Sequence, residues 1–220
     1  MTPGKQSTTI VLPEQKGIVS TMVASSNGIL ATGTYNNSIG LYDGEVGEQI
    51  ALIDRAHSGG ITGLKFIPNQ ENYLLSAARK CDNLKVVHNQ YTILFTVSFF
   101  KCWDVRNMTK PVWTVERECN TNQKIQFDIS SNGKMLLSGS TSGKLHFWEL
   151  GSGSVVSELK VVDAHRSATN AASLHPFAPV CASGSGQRVF PSVADSDSEE
   201  TMVSTPVSDN SLTLWTAFEY

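Results

Sequence analysis

The stretch LSGSTSGKLHFWEL, residues 137–150, carries the clearest structural signal in the chain. Two short runs of strand-forming residues flank Ser142-Gly143, a dipeptide typical of a tight turn. The second run ends in Trp148-Glu149, an aromatic residue followed by an acid. This pattern predicts two antiparallel strands joined by a short turn, with a tryptophan near the end of the second strand.

Weaker copies of the pattern recur along the chain and indicate an internal repeat. They are LATGTYNNSIGLYD (30–43), LLSAARK (74–80) with its CWD ending at 102–104, and VCASGSG (180–186) with SLTLW at 211–215. Matching positions at Ile18, Ile61, Ile125 and Ala171 lie 43, 64 and 46 residues apart. A unit of roughly 40–45 residues with such an ending is typical of a four-stranded WD40 blade.

We therefore predict an all-β chain, a partial WD40-type β-propeller with about four blades. Residues 1–16 are interpreted as a polar N-terminal segment and residues 17–220 as the partial propeller. In the first unit, the alternation predicts strands at 18–24, 29–34, 38–42 and 48–53. We expect three four-stranded blades and a fourth, interrupted one, with Trp103 and Trp148 on matching strands of adjacent blades.

The long interval between the second and third units indicates an insert at residues 86–101, VVHNQYTILFTVSFFK. Residues 91–100 lack charge, glycine and proline, a composition prone to aggregate when exposed. The segment is too short for a membrane-spanning helix, which needs roughly 20 apolar residues. We interpret it as a translated intron that splits a blade strand, foreign to the repeat. The alternative is an extra hairpin or a buried loop.

A second irregularity is the segment 191–206, which contains the acidic run DSDSEE. Its composition predicts a solvated, disordered loop within the fourth blade. Its serines are candidates for phosphorylation, because acidic flanks suit an acid-directed kinase.

Composition narrows the classes of function. The formal charge of −3 argues against a strongly basic nucleic-acid-binding surface and leaves room for a local basic patch.

The cysteines contain no C-x-x-C pair, so we expect buried thiols in a reducing compartment rather than a metal site. No secretory signal is expected. Since no catalytic, metal-ligand or phosphate-loop pattern is found, we predict no enzyme, no metal and no cofactor. The four cysteines are Cys81, Cys102, Cys119 and Cys181.

Several residues are predicted to hold the blades together. His57 and His165 each follow an alanine at a blade boundary, where an imidazole can donate from one nitrogen and accept at the other. We expect both to tie neighbouring strands together rather than to catalyse a reaction. The other structural candidates follow the repeat and are Trp103, Asp104, Trp148 and Trp215.

Short motifs spread over residues 15–215, apart from the insert, carry a family resemblance. They are QKGIVS (15–20), HSGGIT (57–62), ARK (78–80), TNQKIQFD (121–128), SGSTSG (138–143), SLHP (173–176) and SGQRVFP (185–191). SGSTSG is common to many propellers, whereas SGQRVFP followed by an acidic loop is more specific. The chain resembles the carboxy-terminal part of the telomerase Cajal body protein family, WD-repeat proteins that bind small Cajal-body RNAs.

The resemblance implies a seven-bladed propeller that recognises the CAB-box loop of small Cajal-body RNAs and of telomerase RNA. It implies a nuclear location in the Cajal body, a role in telomere maintenance, and the telomerase ribonucleoprotein as a partner. A cytoplasmic pool and protein partners on the blade rims stay open, and no membrane partner is expected. Because the family's amino-terminal blades are absent, an impaired fragment or isoform is also considered. The alternative function is a generic WD40 scaffold without RNA binding.

The residues expected to contact RNA fall into two groups within the family-like motifs. The candidates for phosphate contacts are Arg79, Lys80, Lys124 and Arg188. Asn122 and Gln123 are candidates for reading base edges of an unpaired loop. The competing interpretation of every one of them is a solvated surface charge or a turn residue. A basic face that bears the four cations would favour RNA binding over the scaffold function.

Overall fold

The computed structural model describes residues 14–79, 83–88, 91–96, 98–151, 156–186 and 209–216. These residues form seventeen β-strands. Within the described ranges no residue is helical, and thus no helix there is long and apolar enough to cross a membrane.

The strands form four main antiparallel sheets in chain order. Sheet 1 contains β1 (Val19–Ala24), β2 (Ile29–Thr34), β3 (Ile39–Asp43) and β4 (Gln49–Ile53). Sheet 2 contains β5 (Ile61–Ile67), β6 (Gln70–Ala78), β9 (Ser98–Asp104) and β10 (Trp113–Arg117). Sheet 3 contains β11 (Phe127–Ile129), β12 (Met135–Gly139), β13 (Lys144–Leu150) and β14 (Val156–Asp163). Sheet 4 contains β15 (Thr169–Leu174), β16 (Val180–Ser185) and β17 (Leu212–Thr216).

The predicted fold class is confirmed. Three sheets have four strands and the last has three, as expected for three complete blades and an interrupted one. The strands of sheet 1 lie within one residue of the predicted bounds, because their apolar and polar residues alternate clearly between Gly and Asn turn signals.

The first strands of the four sheets lie side by side and set the order of the arc. β5 contacts both β1 and β11, and β15 contacts β11 and β12. Apolar side chains fill the space between successive sheets: Leu41 packs with Leu64 and Trp103 in one such cluster. Similar clusters separate sheets 2 and 3 and sheets 3 and 4. Burial of these alternate faces supplies the main stabilisation of the propeller.

The tryptophans of the repeat occupy one register position, as predicted for Trp103 and Trp148. Trp103 lies opposite Leu74, Trp148 opposite Leu136, and Trp215 opposite Cys181. In each of these sheets, the next residue of the second strand pairs with the residue that precedes the tryptophan. The third strands of sheets 2, 3 and 4 can therefore be aligned residue by residue. This equivalence allows any position to be compared between sheets.

The predicted insert differs from the structure at both ends. A separate two-stranded sheet, formed by β7 (Asn83–His88) and β8 (Tyr91–Thr96), begins before residue 86. Residues 98–101 belong instead to β9, where Phe100 lies opposite Ala77 and is fully buried. The extra-hairpin alternative therefore describes this region, and the 86–101 boundary is wrong because four of its residues form part of sheet 2. The intron origin stays a prediction.

The boundary after residue 16 also differs from the structure. Gln15 is only 5% exposed, and its Nε2 donates to the Thr32 carbonyl oxygen at 3.2 Å. The hydroxyls of Thr32 and Tyr42 donate to its Oε1 at 2.5 and 2.9 Å. Gln15 thus belongs to sheet 1, and the sequence does not indicate its burial because a single polar residue in a polar segment carries no periodic signal.

Candidate RNA-binding face

One end of the sheets gathers most of the residues predicted to contact RNA. In an antiparallel sheet, the chain entering the first strand and the chain leaving the second strand lie at the same end. We call this end the upper face. Among the described residues it contains the turn at 35–38, the segments 54–60, 118–126 and 164–168, and the end of β6 at Arg79.

Four of the six candidates lie on this upper face. The Arg79 backbone N–H donates to the Gly60 carbonyl oxygen at 2.9 Å, which fixes Arg79 beside the entry to β5. Asn122, Gln123 and Lys124 lie in the segment before β11; Asn122 and Lys124 are exposed and Gln123 is half-buried. Lys80 and Arg188 fall outside the described residues. The four therefore share one end of the fold, although Arg79 precedes the other three by more than 40 residues.

A stacked pair that the sequence did not indicate lies on the same face. The Arg79 guanidinium carbon lies 4.4 Å from the centroid of the Tyr35 ring, and Tyr35 is 43% exposed. Tyr35 is held in the turn after β2 by its backbone N–H, which donates to the Ile18 carbonyl oxygen at 3.0 Å. Planar aromatic and guanidinium groups are the platforms on which unpaired bases stack. Only the fold brings the two residues, 44 apart in sequence, together.

A cavity of about 530 Å³ opens next to Tyr35. Its lining mixes two cationic side chains with two carboxylates and several amide or hydroxyl groups. Such a mixture suits a polar, hydrogen-bonding group better than an isolated phosphate, because the carboxylates offset the cations. The lining residues are Glu14, Lys16, Tyr35, Asn36, Asn37, Ser38, Leu52, Asp54 and Arg55.

The predicted structural histidines lie immediately beneath the upper face. His57 Nε2 lies 2.7 Å from Ser76 Oγ, to which Trp103 Nε1 donates at 2.8 Å. In sheet 4, His165 Nε2 lies 2.8 Å from Ser183 Oγ, to which Trp215 Nε1 donates at 2.8 Å. A central hydroxyl in each case joins the segment that enters the sheet to its second and third strands.

Sheet 1 builds the same arrangement from different residues. Gln15, Thr32 and Tyr42 occupy the register positions that His57, Ser76 and Trp103 occupy in sheet 2. The shared features are an entering polar side chain, a central hydroxyl and an aromatic donor. We call each set a polar triad. Trp and Tyr donors buried in this way require a partner, which the central hydroxyl or the glutamine oxygen supplies.

Sheet 3 departs from this pattern. By sequence offset from the matching positions Leu64 and Phe127, the residue aligned with His57 is Asn120, which is exposed. Instead, the buried guanidinium of Arg117 donates to the Ile125 carbonyl oxygen at 3.0 Å and lies 4.7 Å from the Phe100 ring centroid. Arg117 therefore fastens the segment containing Asn122, Gln123 and Lys124 to sheet 2, so that this candidate segment has a rigid base.

Burial keeps His57 neutral. Desolvation, with the positive charges of Lys101 and Arg117, lowers the pKa of His57 to about 3. Burial likewise raises the pKa of the Cys102 thiol to about 12, with the charge of Asp104 adding to the effect. Both groups are inside the sheets, and their environments favour the uncharged form. In the described part of the chain, no group of three or more His, Cys, Asp or Glu could hold a metal ion.

Asp104 and Trp148 complete the predicted set of structural residues. Asp104 accepts from both Nε and Nη2 of Arg106 at 2.8 and 2.6 Å at the end of β9. Trp148 is 4% exposed and packs edge-to-face on Phe100, with 5.6 Å between ring centroids. His146 stacks on the Trp148 ring at 5.5 Å. These residues hold the third strands rather than the upper face.

Comparisons with known proteins show what this chain is similar to. Residues 110–149 match the model of the WD domain, G-beta repeat. The chain is 39% identical over 189 residues to Telomerase Cajal body protein 1 of Bos taurus, covering 84% of this chain and 32% of that protein. It is 38% identical over 189 residues to Telomerase Cajal body protein 1 of Homo sapiens, covering 84% and 31%.

A solved structure supports the fold. The RRP9 WD40 repeats superpose with a TM-score of 0.58 at 16% identity, covering 80% of this chain and 47% of that one. This likeness concerns the fold alone, since the sequence identity is low. The chain spans about a third of the length of the curated relatives it matches. It is therefore a WD40-repeat protein with a partial propeller, and 84% of its length is similar to Telomerase Cajal body protein 1.

Proposed function

We propose that this chain binds RNA through its upper face and takes part in recognising the CAB-box loop of small Cajal-body RNAs and of telomerase RNA. The observation that carries the proposal is the Tyr35–Arg79 stack on the same end of the sheets as Asn122, Gln123 and Lys124. A nuclear location in the Cajal body and assembly with the telomerase ribonucleoprotein belong to the same proposal. They are supported by the names of the curated relatives.

The division of labour between these residues follows from their chemistry. Lys124 and Arg79 are cations that can neutralise phosphates, together with Lys80 and Arg188 from the family-like motifs. Tyr35 offers an aromatic ring whose second face can stack a splayed base. Asn122 and Gln123 carry neutral amides, which add hydrogen-bond geometry and no charge. The proposed site therefore combines affinity from phosphates with selectivity from loop bases.

A generic protein-binding scaffold is the competing function, and the cavity favours it in part. The lining beside Tyr35 contains Glu14 and Asp54 as well as Lys16 and Arg55, so this corner of the upper face is not purely basic. A scaffold would show no preference between RNA hairpins and no dependence on Asn122 or Gln123. Recognition of the CAB-box loop requires both a preference for the cognate hairpin and a dependence on these amides.

The proposal is tested by titrating the full chain with a CAB-box hairpin and a scrambled-loop hairpin at several salt concentrations. Replacing Arg79, Lys80 and Arg188 together by alanine should weaken binding to both hairpins. Each lost phosphate contact should flatten the log–log salt dependence by up to roughly 0.7–0.9. The matched control is Lys110→Ala, which removes a positive charge from the connection between β9 and β10, at the opposite end of the sheet. It should leave affinity and salt slope unchanged.

A change at the amides separates selectivity from charge. Asn122→Ala or Gln123→Ala should reduce the preference for the cognate loop and leave the salt slope unaltered. The same titrations in a full-length curated relative show whether the affinity depends on sequence outside the part that this chain matches. If the triple variant binds the cognate hairpin as tightly as the parent, with the same salt slope, these three cations are ordinary surface charges.

A further inference from the structure

Sheet 3 holds its entering segment, the chain just before its first strand, differently from the other sheets. In sheets 1, 2 and 4 a side chain of the entering segment belongs to a polar triad, as His57 does with Ser76. The matching hydroxyl of sheet 3 belongs to Ser138. Its Oγ donates instead to the carbonyl oxygen of the neighbouring Gly139 at 2.8 Å. The segment 118–126 is therefore positioned by contacts other than a triad.

His146 supplies one of these contacts from the third strand. It lies opposite Ser138, at the position that Lys101 occupies in sheet 2. Lys101 Nζ donates to the Ala56 carbonyl oxygen in the entering segment of that sheet, at 2.9 Å. In sheet 3 the imidazole ring faces Glu118, the first residue of the entering segment, with 3.8 Å between Nε2 and Oε2. The same position of the third strand thus faces the entering segment in both sheets.

A carboxylate flanks each nitrogen of the His146 ring. Nδ1 lies 2.7 Å from Glu158 Oε1 on β14. Since a carboxylate only accepts, the neutral ring carries its proton on Nδ1 and its lone pair on Nε2. Nε2 is shielded from solvent and has no hydrogen-bond partner among the described residues. The Glu118 oxygen that it faces already accepts from Ser142 Oγ at 2.7 Å, so two acceptors face each other without a proton between them.

One added proton changes this arrangement. An imidazolium donates from both nitrogens, and a charged N–H bonds a carboxylate at about 2.7–2.9 Å. Glu118 would have to move about 1 Å closer to reach that distance from the 3.8 Å it has now. Leaving the new N–H unbonded would cost the desolvation of a buried charged donor. Protonation therefore favours a closed arrangement of the three side chains Glu118, His146 and Glu158, which we call the clasp.

We propose that protonation of His146 closes the clasp and thereby holds the segment 118–126, with its candidate RNA-binding residues, in a fixed position on the upper face. The effect on RNA rests on the proposed function, whereas the closing of the clasp does not. His146 is a positioning residue in this proposal, since it acts on RNA only through Glu118 and the segment that follows. The clasp lies between sheets 2 and 3, in the interior of the arc.

The surroundings of His146 differ from those of His57. His57 is 2% exposed, and burial lowers its pKa to about 3, so it stays neutral in the physiological range. The side chain of His146 is 14% exposed and has carboxylates on both sides. One face of its ring stacks on Trp148, with 13° between the ring planes. This stacking keeps the ring edge, and with it both nitrogens, directed towards the two carboxylates.

Other charged side chains surround the clasp on its own strand and on neighbouring elements. Lys144 precedes His146 by two residues on the same face of β13, and Asp163 of β14 lies opposite Lys144. Arg117 ends β10, with its guanidinium carbon 4.7 Å from the Phe100 ring centroid. Opposite His146, β12 presents a hydroxyl rather than an ionisable group. Ordinary Asp, Glu, Lys and Arg side chains keep their charge between pH 6 and pH 8, whereas imidazole changes charge there.

The first experiment needs no RNA. NMR of the full chain follows the two ring nitrogens of His146 and the backbone amides of residues 119–124 as the pH falls from 8 to 5.5. We expect Nδ1 alone to carry a proton at pH 8 and both nitrogens to carry one as the ring becomes charged. The amides should shift with the same midpoint. In His146→Gln they should not shift with that midpoint, because glutamine does not titrate.

Glu118→Gln tests the direction of the effect. Its side-chain N–H can donate to the lone pair of neutral Nε2, so the clasp should already be closed at pH 8 and the amides should no longer follow the titration. The matched control is Glu116→Gln, which also removes one carboxylate. Glu116 is exposed and alternates along β10 with Val115, which packs into the cluster between sheets 2 and 3. This control should titrate like the parent.

The second experiment connects the clasp to RNA. A CAB-box hairpin is titrated into the parent and the three variants at pH 8 and pH 6. The parent should bind about fivefold more tightly at pH 6, at the lower end of the usual coupling between two sites. Glu118→Gln should bind at pH 8 as tightly as the parent at pH 6, beyond the gain that Glu116→Gln shows from its lost charge. His146→Gln should bind equally at both pH values.

The two experiments fail separately. The clasp is overturned if Nε2 carries the proton at pH 8, or if the amides of 119–124 keep their resonances while His146 titrates. The regulation of RNA binding is overturned if the amides move and the parent binds the hairpin equally at both pH values. If neither the parent nor any variant binds the hairpin, the proposed function fails, and the NMR titration still decides whether the clasp closes.

Discussion

Replacing His57 with glutamine tests whether a buried imidazole makes this propeller sensitive to acid. Burial lowers the pKa of His57 to about 3, whereas an imidazole in an unfolded chain has a pKa of about 6.5. Below pH 6.5 the unfolded chain binds a proton that the folded chain does not bind until the pH approaches 3. The stability is therefore intact above pH 6.5 and falls as the pH drops through this window.

The size of the effect follows from the two pKa values. Between pH 7 and pH 5, the linkage lowers the free energy of unfolding by about 2 kcal/mol. The aspartates Asp43, Asp104 and Asp209 do not interfere in this range. Hydrogen bonds lower their pKa values from 3.8, so their linked loss of stability lies at a lower pH.

Urea unfolding of the parent and of His57→Gln at pH 7, 6 and 5 measures this linkage. Glutamine is a fair replacement because Gln15 fills the same position of the polar triad in sheet 1 and does not titrate. The comparison at pH 7 reports the cost of the changed contact, and the further change at pH 5 reports the titration alone. The parent should lose about 2 kcal/mol and the variant less than about 0.5 kcal/mol. An equal loss in both proteins would refute the assignment to His57.

Two further predictions concern the backbone of the sheets. Deleting residues 83–96 should leave a cooperative calorimetric transition, because Ser98 Oγ already donates to the Ala78 carbonyl oxygen at 2.9 Å and the short remaining connection can close a hairpin. Deleting residues 86–101 removes the buried Phe100 and should abolish the transition. A transition that survives the second deletion and not the first would contradict the observed strand bounds. Gly143→Ala should cost at least about 1 kcal/mol more in urea unfolding than Gly28→Ala. Both glycines have positive φ, 86° and 81°, but a Cβ at Gly143 would overlap the His165 carbonyl oxygen, whereas Gly28 faces open space; equal costs would count against this steric argument.

The repeat predicted most of the fold because its signals are local. The turn at Ser142-Gly143 and the alternation in 144–150 depend on neighbouring residues only. The same holds for sheet 1, whose strand bounds were predicted to within one residue. The insert was harder, since the uncharged run 91–100 contains no glycine, proline or asparagine to separate β8 from β9. Its last residues were assigned to the wrong element for that reason.

The candidate face was predictable only in part. Arg79 and Lys124 are candidates because they stand in family-like motifs, and the end of the sheets on which they lie follows from strand order alone. The stack of Tyr35 on Arg79 and the burial of Gln15 depend on contacts between segments far apart in sequence. Neither residue differs in its local sequence from an ordinary turn or surface residue, so the sequence gives no sign of these contacts.

The position of the β7–β8 hairpin has a consequence for how this chain can change over evolutionary time. The hairpin occupies the connection between the second and third strands of sheet 2, and the corresponding connection of sheet 4 runs from Ser185 to Leu212. The entropy of closing a loop grows slowly, by about 0.6 kcal/mol for each doubling of its length. Lengthening either connection therefore costs little.

Both connections leave from the upper face, beside Arg79 and the segment before β11. Additions at these two points alter the surface that is offered to a ligand while the pairing of β6 with β9 and of β16 with β17 is kept. The framework and the face that it presents can therefore diverge at different rates. Insertions in these loops would therefore alter the ligand contacts of the upper face before they alter the fold.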